Sequence, residues 1–327
     1  MKFIRVGDPH VKPNNIKESE RLFQFILDKC IELNIDVLEI LGDLFDTHRI
    51  VHLEVIQFWT KWLGIFAKQK FKVRVLVGNH DITGDYSNNF SALHPFLTLE
   101  NENFKIVHEP FLDGVYGYLP YIHENPRFIE EANKLGSQGA TVLVSHPNYN
   151  GGVYDNGHPI LGAVDSDLLM DSFLHLIGGH IHTELEFKRV WYTGNPRWMT
   201  KSCANKNKGI WLVNHADNGA ITSKEFISTE SVCTKIVSLV WNEGETKPEI
   251  PSGCKVDIEL VGSSNWVTEQ KLDLKGQVSL SSKITDTKKS KNRKSGKTLH
   301  EFLSEHYQAE PEKRRKLLKY MGDLNLV

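Results

Sequence analysis

Val73-Arg74-Val75-Leu76-Val77-Gly78-Asn79-His80-Asp81 reads as a short strand that stops in a cluster of metal-ligating side chains. A strand covered on both faces is a near-continuous apolar run rather than an alternation, and residues 73–77 have nearly that form. Four more segments repeat the pattern: Asp8-Pro9-His10 after residues 3–6, Gly42-Asp43 after 37–41, Ser145-His146 after 141–144, and Gly179-His180-Ile181-His182 after 174–177. Helical periodicity fills the gaps between the early strands. Residues 18–33 set Leu22, Phe23, Ile26, Cys30 and Leu33 on one face, and 51–68 do the same with Ile56, Trp59, Leu63 and Phe66. Later strands, at 115–118, 189–193 and 209–213, follow one another with less helix between them. The expected class is α/β, with two packed sheets flanked by helices. Ligands of such sheets sit beyond the carboxyl ends of the strands. Asp8, Asp43, Asn79, His146 and His180 each stand within three residues of such an end, so they can converge on one edge.

The chain has 327 residues, a formal net charge of −2 and 40% hydrophobic residues, which suits one large domain with smaller units attached. Its longest apolar runs fall far short of a membrane span. The N-terminus enters a strand directly, without an apolar leader and cleavage site, so a cytoplasmic location is expected. Cys30, Cys203, Cys233 and Cys254 are widely spaced and form no C-x-x-C, which argues against a structural zinc site or a disulfide framework. A protein that held DNA by a broad electrostatic field would be visibly basic. Any nucleic acid must therefore be held by local patches or by a second subunit.

Composition divides the chain into four parts. Residues 1–227 carry the strand–helix core and all five ligand segments. Residues 228–282 read as a small α+β capping domain, with strands at 235–241, 256–260 and 271–274. Residues 283–297 form a basic linker with seven Lys/Arg against one Asp. Residues 298–327 read as two amphipathic helices. The first opens on a capping box, Thr298-Leu299-His300-Glu301, and the second near Pro311. Beyond a linker, such helices suit a docking element for another protein, the alternative being a hairpin folded onto the capping domain.

The ligand segments imply a particular chemistry. A phosphodiester resists attack because charge must build on oxygens already negative, and two cations about 3.5–4 Å apart relieve this by gripping a bridging hydroxide and the phosphoryl oxygens. Such a pair needs a bridging carboxylate, imidazoles, and oxygen donors hard enough for Mn²⁺ or Mg²⁺. Asp43 is the natural bridge. Asp8, His10 and one of His180 and His182 would hold one ion; Asn79, His146 and the other histidine would hold the second. His80 reads as a catalytic group rather than a ligand, because adjacent residues of an extended segment point oppositely. It suits a cation beside the phosphate or a proton donor to the leaving oxygen, with Asp81 orienting it. His48 and His52 are candidate substrate contacts. Taken singly, each motif is weak; the information lies in their order at strand ends.

With D-x-H, G-D, G-N-H-D, a lone His and G-H-x-H in this order, the chain resembles the calcineurin-like metallophosphoesterase superfamily. Within it, Gly42-Asp43-Leu44-Phe45-Asp46 and the G-N-H-D form resemble the SbcD-type nucleases and their bacteriophage relatives in DNA recombination and repair. The resemblance implies a two-sheet metallophosphoesterase sandwich and a nuclease dependent on two divalent ions, Mn²⁺ preferred or Mg²⁺. It implies 3′-to-5′ exonuclease action on duplex DNA ends and structure-dependent endonuclease action. It also implies a homodimer bound to an SbcC-like coiled-coil ATPase through the C-terminal helices, with no membrane role, in the cytoplasm of a bacterial host if the gene is a phage's. Two positions depart from the pattern: Val11-Lys12 replaces the usual Leu-Gly, and Ser145 the usual Gly. The same motifs also serve phosphomonoesterases and cyclic-nucleotide phosphodiesterases, and a non-catalytic scaffold could keep the fold.

Overall fold

A computed structural model describes residues 1–285 except 49, 84–89, 155–156 and 277. The strands are β1 (Lys2–Val6), β2 (Val37–Ile40), β3 (Lys72–Leu76), β4 (Phe104–Val107), β5 (Phe111–Asp113), β6 (Tyr116–Leu119), β7 (Val142–Ser145), β8 (His175–Gly178), β9 (Leu185–Phe187), β10 (Val190–Tyr192), β11 (Gly209–His215), β12 (Ile221–Ser228), β13 (Ile236–Asn242), β14 (Lys255–Gly262) and β15 (Ser279–Ile284). The helices are α1 (Ile16–Glu32), α2 (Leu53–Phe66), α3 (Asn125–Ser137) and α4 (Ser264–Asp273). Two six-stranded sheets run β12-β11-β1-β2-β3-β4 and β5-β6-β7-β8-β10-β9, and a small third sheet runs β13-β14-β15. The expected two-sheet α/β sandwich is present.

Packing divides the chain into two compact units. One comprises Met1–Leu239, Lys247–Ile258 and Gly276–Ser279; the other comprises Val240–Thr246, Glu259–Lys275 and the described residues from Leu280 onward. Both large sheets, and every candidate ligand, belong to the first unit. No helix among the described residues is long and apolar enough to cross a membrane.

Parallel pairing of β1, β2, β3 and β4, and of β6, β7, β8 and β10, aims the carboxyl ends of the central strands at one edge. Alternation along each strand feeds two cores. On β1, Ile4 and Val6 join the cluster under α1 and α2, whereas Phe3 faces the inter-sheet cluster with Val37, Tyr118, Val142 and Trp191. A third cluster packs α3 against the second sheet through Phe128, Ala132 and Leu135.

The inter-sheet layer is not wholly apolar. Arg5 lies in register with Glu39, and Glu39 with Arg74, so three charged side chains cross the first sheet in one row. Arg5 and Glu39 are fully buried and ion-paired; Tyr118 on the opposite sheet donates to Glu39 Oε1 at 2.7 Å. Asp113 on β5 receives Lys72 at 2.9 Å and Arg74 at 2.6 Å, a second polar tie between the sheets. Burial pushes the Asp113 carboxyl up, but the hydrogen bonds from Lys72 and Arg74 outweigh it and hold the group below its usual range. A carboxyl so depressed adds stability that is present above its unfolded pKa and lost as pH falls through its folded pKa. Asp113→Asn should therefore cost about 1 kcal/mol near neutrality and less as pH falls below the usual carboxylate range. Urea unfolding at pH 7 and pH 3 checks this; equal losses at both would refute it.

Two expectations are corrected. Residues 271–274 are not a strand: they end α4, which Ser263 caps through the Trp266 N–H. In a strand Leu272 and Leu274 would share a face, but Leu272 is 71% exposed and Leu274 is fully buried. On α2 the buried face is Val55, Phe58, Trp59, Trp62, Leu63 and Phe66, which leaves Ile56 exposed, because the helix is rotated by about one position from the expected stripe. Strand β15 extends two residues into the segment expected as linker. The rest of that linker from 286 on, and the helices expected over 298–327, lie outside the described residues.

Candidate metal centre

Each ligand segment is the turn that follows a parallel strand. Asp8 and His10 follow β1, Asp43 follows β2, Asn79 follows β3, His146 follows β7 and His180 and His182 follow β8. Two motif glycines allow the turns to touch. A Cβ on Gly78 would lie 2.3 Å from the Asp43 N and Oδ1 atoms, and one on Gly179 would lie 2.3 Å from the Leu41 carbonyl and 2.8 Å from Asp8 Oδ1. The backbone is also bent sharply. His10, Asp43 and His180 have φ of 40°, 51° and 80°, half of the six non-glycine residues with positive φ among the described residues. Such strain concentrates where surrounding structure holds functional groups in place.

The side chains form two clusters that share Asp43. In the first, His10 Nε2 lies 3.1 Å from His182 Nε2 and 3.6 Å from Asp43 Oδ2, and Asp8 Oδ2 lies 4.0 Å from His182 Nε2. In the second, Asn79 Oδ1 lies 2.8 Å from His180 Nδ1 and 3.1 Å from His146 Nε2, which is 3.3 Å from Asp43 Oδ2. His182 therefore goes with Asp8 and His10, and His180 with Asn79 and His146, a partition the sequence left open. His146 Nδ1 meets the Leu41 carbonyl at 2.6 Å, so Nδ1 carries the proton and Nε2 turns its lone pair to the cluster.

The donor set fits cations. Both Asp8 carboxylate oxygens are buried without a hydrogen-bond partner, an arrangement costly for a charge unless a cation completes it. The family model for calcineurin-like phosphoesterases matches residues 1–184. The chain belongs to that family. Its members use divalent metals, and the Asp43-centred clusters are where this phosphoesterase could hold them. A protein of Invertebrate iridescent virus 6 named as a phosphoesterase, 244L, is 27% identical over 209 residues, covering 59% of this chain and 69% of that protein. The DNA double-strand break repair protein Mre11 of Archaeoglobus fulgidus is 33% identical over 101 residues, which span 29% of this chain and only 22% of that protein. The solved structure of the E. coli phosphoesterase Yfce aligns at a TM-score of 0.31 and 16% identity, over 70% of this chain and all of that one.

Electrostatics within the phosphoesterase site follow from burial and crowding. Burial pushes the Asp8 carboxyl up, with Asp43 adding to it against the pull of His146 and His182. Burial would raise Asp43 too, but His146, His10 and His80 outweigh it and hold that carboxyl far below the usual range. Burial drives His10 well down and takes His180 to about 3, whereas for His146 the carboxylates of Asp43 and Asp8 overcome burial and push it up to about 9. Without an ion, a proton on His146 does part of a cation's work for two carboxylates. Asp8→Asn should raise the thermal midpoint of ion-free protein, by about 1 kcal/mol or 2–4 °C, because it removes a buried charge. The same change should remove the extra stability that Mn²⁺ in the first cluster would confer, about 2.7 kcal/mol at a hundred times that site's Kd, and leave the contribution of the second cluster. Calorimetric scans with and without Mn²⁺ check both; an unaltered Mn²⁺ shift would refute the assignment of Asp8.

His80 departs from the expected reasoning. Gly78–Asp81 is a turn, closed by Asp81 N–H donating to the Gly78 carbonyl at 3.3 Å, so strand alternation does not apply. His80 comes within ligand reach of His10 and Asp43. Its Nδ1 meets the Asp46 carbonyl at 2.8 Å, which leaves Nε2 for the site. His48 stacks on it at 4.2 Å and is itself held by the Asn79 carbonyl at 2.8 Å. Asp81 does not orient His80. Its two oxygens accept the Phe45 and Gly78 N–H groups, and burial together with Asp43 pushes its carboxyl up to about 8, so it ties two ligand turns together. His52 lies apart, on a cavity of about 230 Å³ with Lys12 and Asp46. Tyr121, not anticipated, stacks on His180 at 6.5 Å and forms one wall of a cavity of about 430 Å³ whose lining mixes His108, His123 and Arg127 with Glu109, Glu124 and Glu131. Only a position after the wall strand β6 marked it in the sequence.

Proposed function

We propose that this phosphoesterase is a DNA nuclease that hydrolyses phosphodiesters with two divalent ions. The observation that carries the two-ion reading is Asp43, one carboxylate oxygen of which lies within 3.6 Å of an imidazole nitrogen in each cluster. Asp8, His10, His182 and Asp43 would hold one ion, and Asn79, His146, His180 and Asp43 the other. The mixture of imidazole, amide and carboxylate donors favours Mn²⁺ over Mg²⁺. Bound there, the ions would supply an activated water and neutralise charge on the phosphoryl oxygens.

The chain's own groups do the rest. His80, its Nδ1–H fixed on the Asp46 carbonyl and its ring stacked on His48, would present Nε2–H in its imidazolium form as a hydrogen-bond donor to the phosphate or a proton donor to the leaving oxygen. Tyr121 and the cavity behind it offer room for a nucleoside beside the second cluster. The local similarity to an archaeal break-repair protein supports DNA as the substrate. On this reading the enzyme acts as a 3′-to-5′ exonuclease on duplex ends and an endonuclease on some structures. It works as a homodimer with an SbcC-like coiled-coil ATPase docked on residues 298–327.

The test is hydrolysis of end-labelled linear duplex beside a chromogenic phosphomonoester, each with Mn²⁺ and with a chelator. Release of labelled nucleotides with negligible monoester turnover is the expected result. Rapid monoester hydrolysis with intact DNA would replace the proposal with a phosphomonoesterase.

A further inference from the structure

Two buried cations stand behind the first cluster and are directed at main-chain carbonyls. Arg197, 1% exposed, donates through Nη2 to the Pro9 carbonyl and, at 2.6 Å, to the His10 carbonyl, and through Nη1 to Ser19 Oγ on α1 at 2.8 Å. Its nearest carboxylate is Glu18, at 3.9 Å. Lys208, 2% exposed, donates to the His182 carbonyl and to Asn195 Oδ1 at 2.6 Å, while the Asn195 N–H donates to the same His182 carbonyl at 3.1 Å. The two histidines so gripped are the pair whose Nε2 atoms meet at 3.1 Å. The second cluster is oriented by other contacts, with His146 Nδ1 on the Leu41 carbonyl and His48 on the Asn79 carbonyl.

We infer that Arg197 and Lys208 are positioning residues for one metal site only, the one built from Asp8, His10, His182 and Asp43. Burying a cation is costly, and each of these two directs hydrogen bonds at a turn that carries ligands, Arg197 at the Pro9 and His10 carbonyls and Lys208 at the His182 carbonyl. His10 sits at φ 40°, a conformation its side chain disfavours, and the carbonyls on either side of that bend are the ones Arg197 holds. Without the guanidinium the bend can relax and carry the imidazole away from His182. Lys208 does the same for the opposite turn.

Charge and geometry predict opposite outcomes here. A buried cation repels a metal ion, so if charge alone mattered, Arg197→Met would tighten binding. If positioning matters, the same change weakens it. The inference rests on the reading that both clusters hold ions, so wild type is titrated first with Mn²⁺, by calorimetry and electron paramagnetic resonance on the full chain. Failure of wild type to bind two ions would remove that reading, not this one alone. Given two ions, Arg197→Met and Lys208→Met should each leave one ion at wild-type affinity and weaken the other about 10–100-fold. At two equivalents the coupled-pair spectrum should give way to that of an isolated Mn²⁺ ion. Arg197→Lys, which can still reach one carbonyl, should recover most of the loss. Unchanged binding, tighter binding, or equal weakening of both ions would overturn the inference. If Arg197→Met does not fold, Lys208→Met and Arg197→Lys carry the test. Failure of all three to fold would also overturn it, since the cations would then be parts of the core.

Discussion

If the proposed two-ion site is right, replacing Asp43 with Asn should reduce bound Mn²⁺ from two ions to at most one and lower phosphoester hydrolysis by at least about 10³-fold. The expectation is larger than the 10–100-fold typical of residues that act from behind a ligand, because Asp43 Oδ2 faces both clusters at once. The amide keeps the shape of the carboxylate and can still accept the His80 N–H, now 2.8 Å from Asp43 Oδ1. The turn should therefore persist, and circular dichroism should be unchanged. What is lost is the negative charge that lets one side chain serve two cations. Calorimetric stoichiometry and the duplex assay read the two effects separately. A variant that binds two ions and keeps a tenth of wild-type activity would show that Asp43 is not the bridge.

The second large effect is on stability. Glu39→Ala should destabilise the fold by about 3–5 kcal/mol, a large part of the 5–15 kcal/mol that holds a typical domain together. Removing the carboxylate leaves Arg5 fully buried beside the neutral His215 ring and takes away the acceptor of the Tyr118 hydroxyl. The cost comes from the stranded charge rather than from the pair itself. An Arg5→Met, Glu39→Leu double variant should consequently recover most of the loss, since apolar replacements of buried ion pairs are often neutral or stabilising. Urea midpoints of the single and double variants decide this. A single variant within 1 kcal/mol of wild type would mean that water reaches Arg5.

Much of the fold was legible because burial on both faces leaves an unmistakable mark. Residues 73–77 and 37–41 are apolar almost throughout, and the helices between strands show their buried stripes at helical spacing. Where the stripe was broad, as around Ile56, its centre was misjudged by one position, because Trp59 and Leu63 are compatible with either rotation. Leu272 and Leu274 misled in another way: two apolar residues spaced by two mimic a strand, and only the cap at Ser263 and the burial of one leucine decide for a helix. Residues from 286 on lie outside the described residues, and with them the segment 298–327 where docking helices were expected.

By itself the sequence determined which side chains gather at the rim, because the carboxyl end of each parallel strand places the next few residues there whatever the strand order. Tertiary structure alone decided how they are shared out. His180 and His182 were interchangeable until β8 took its place beside β7, which brings His146 to one and leaves the other facing β1. The same holds for the charged row of Arg5, Glu39 and Arg74, which are neighbours only because β1, β2 and β3 are adjacent and in register. Arg197 and Lys208 lie far along the chain from His10, and nothing local marks them. Periodicity records whether a residue is buried; which distant partner it meets depends on register and strand order, and these exist only in the assembled fold.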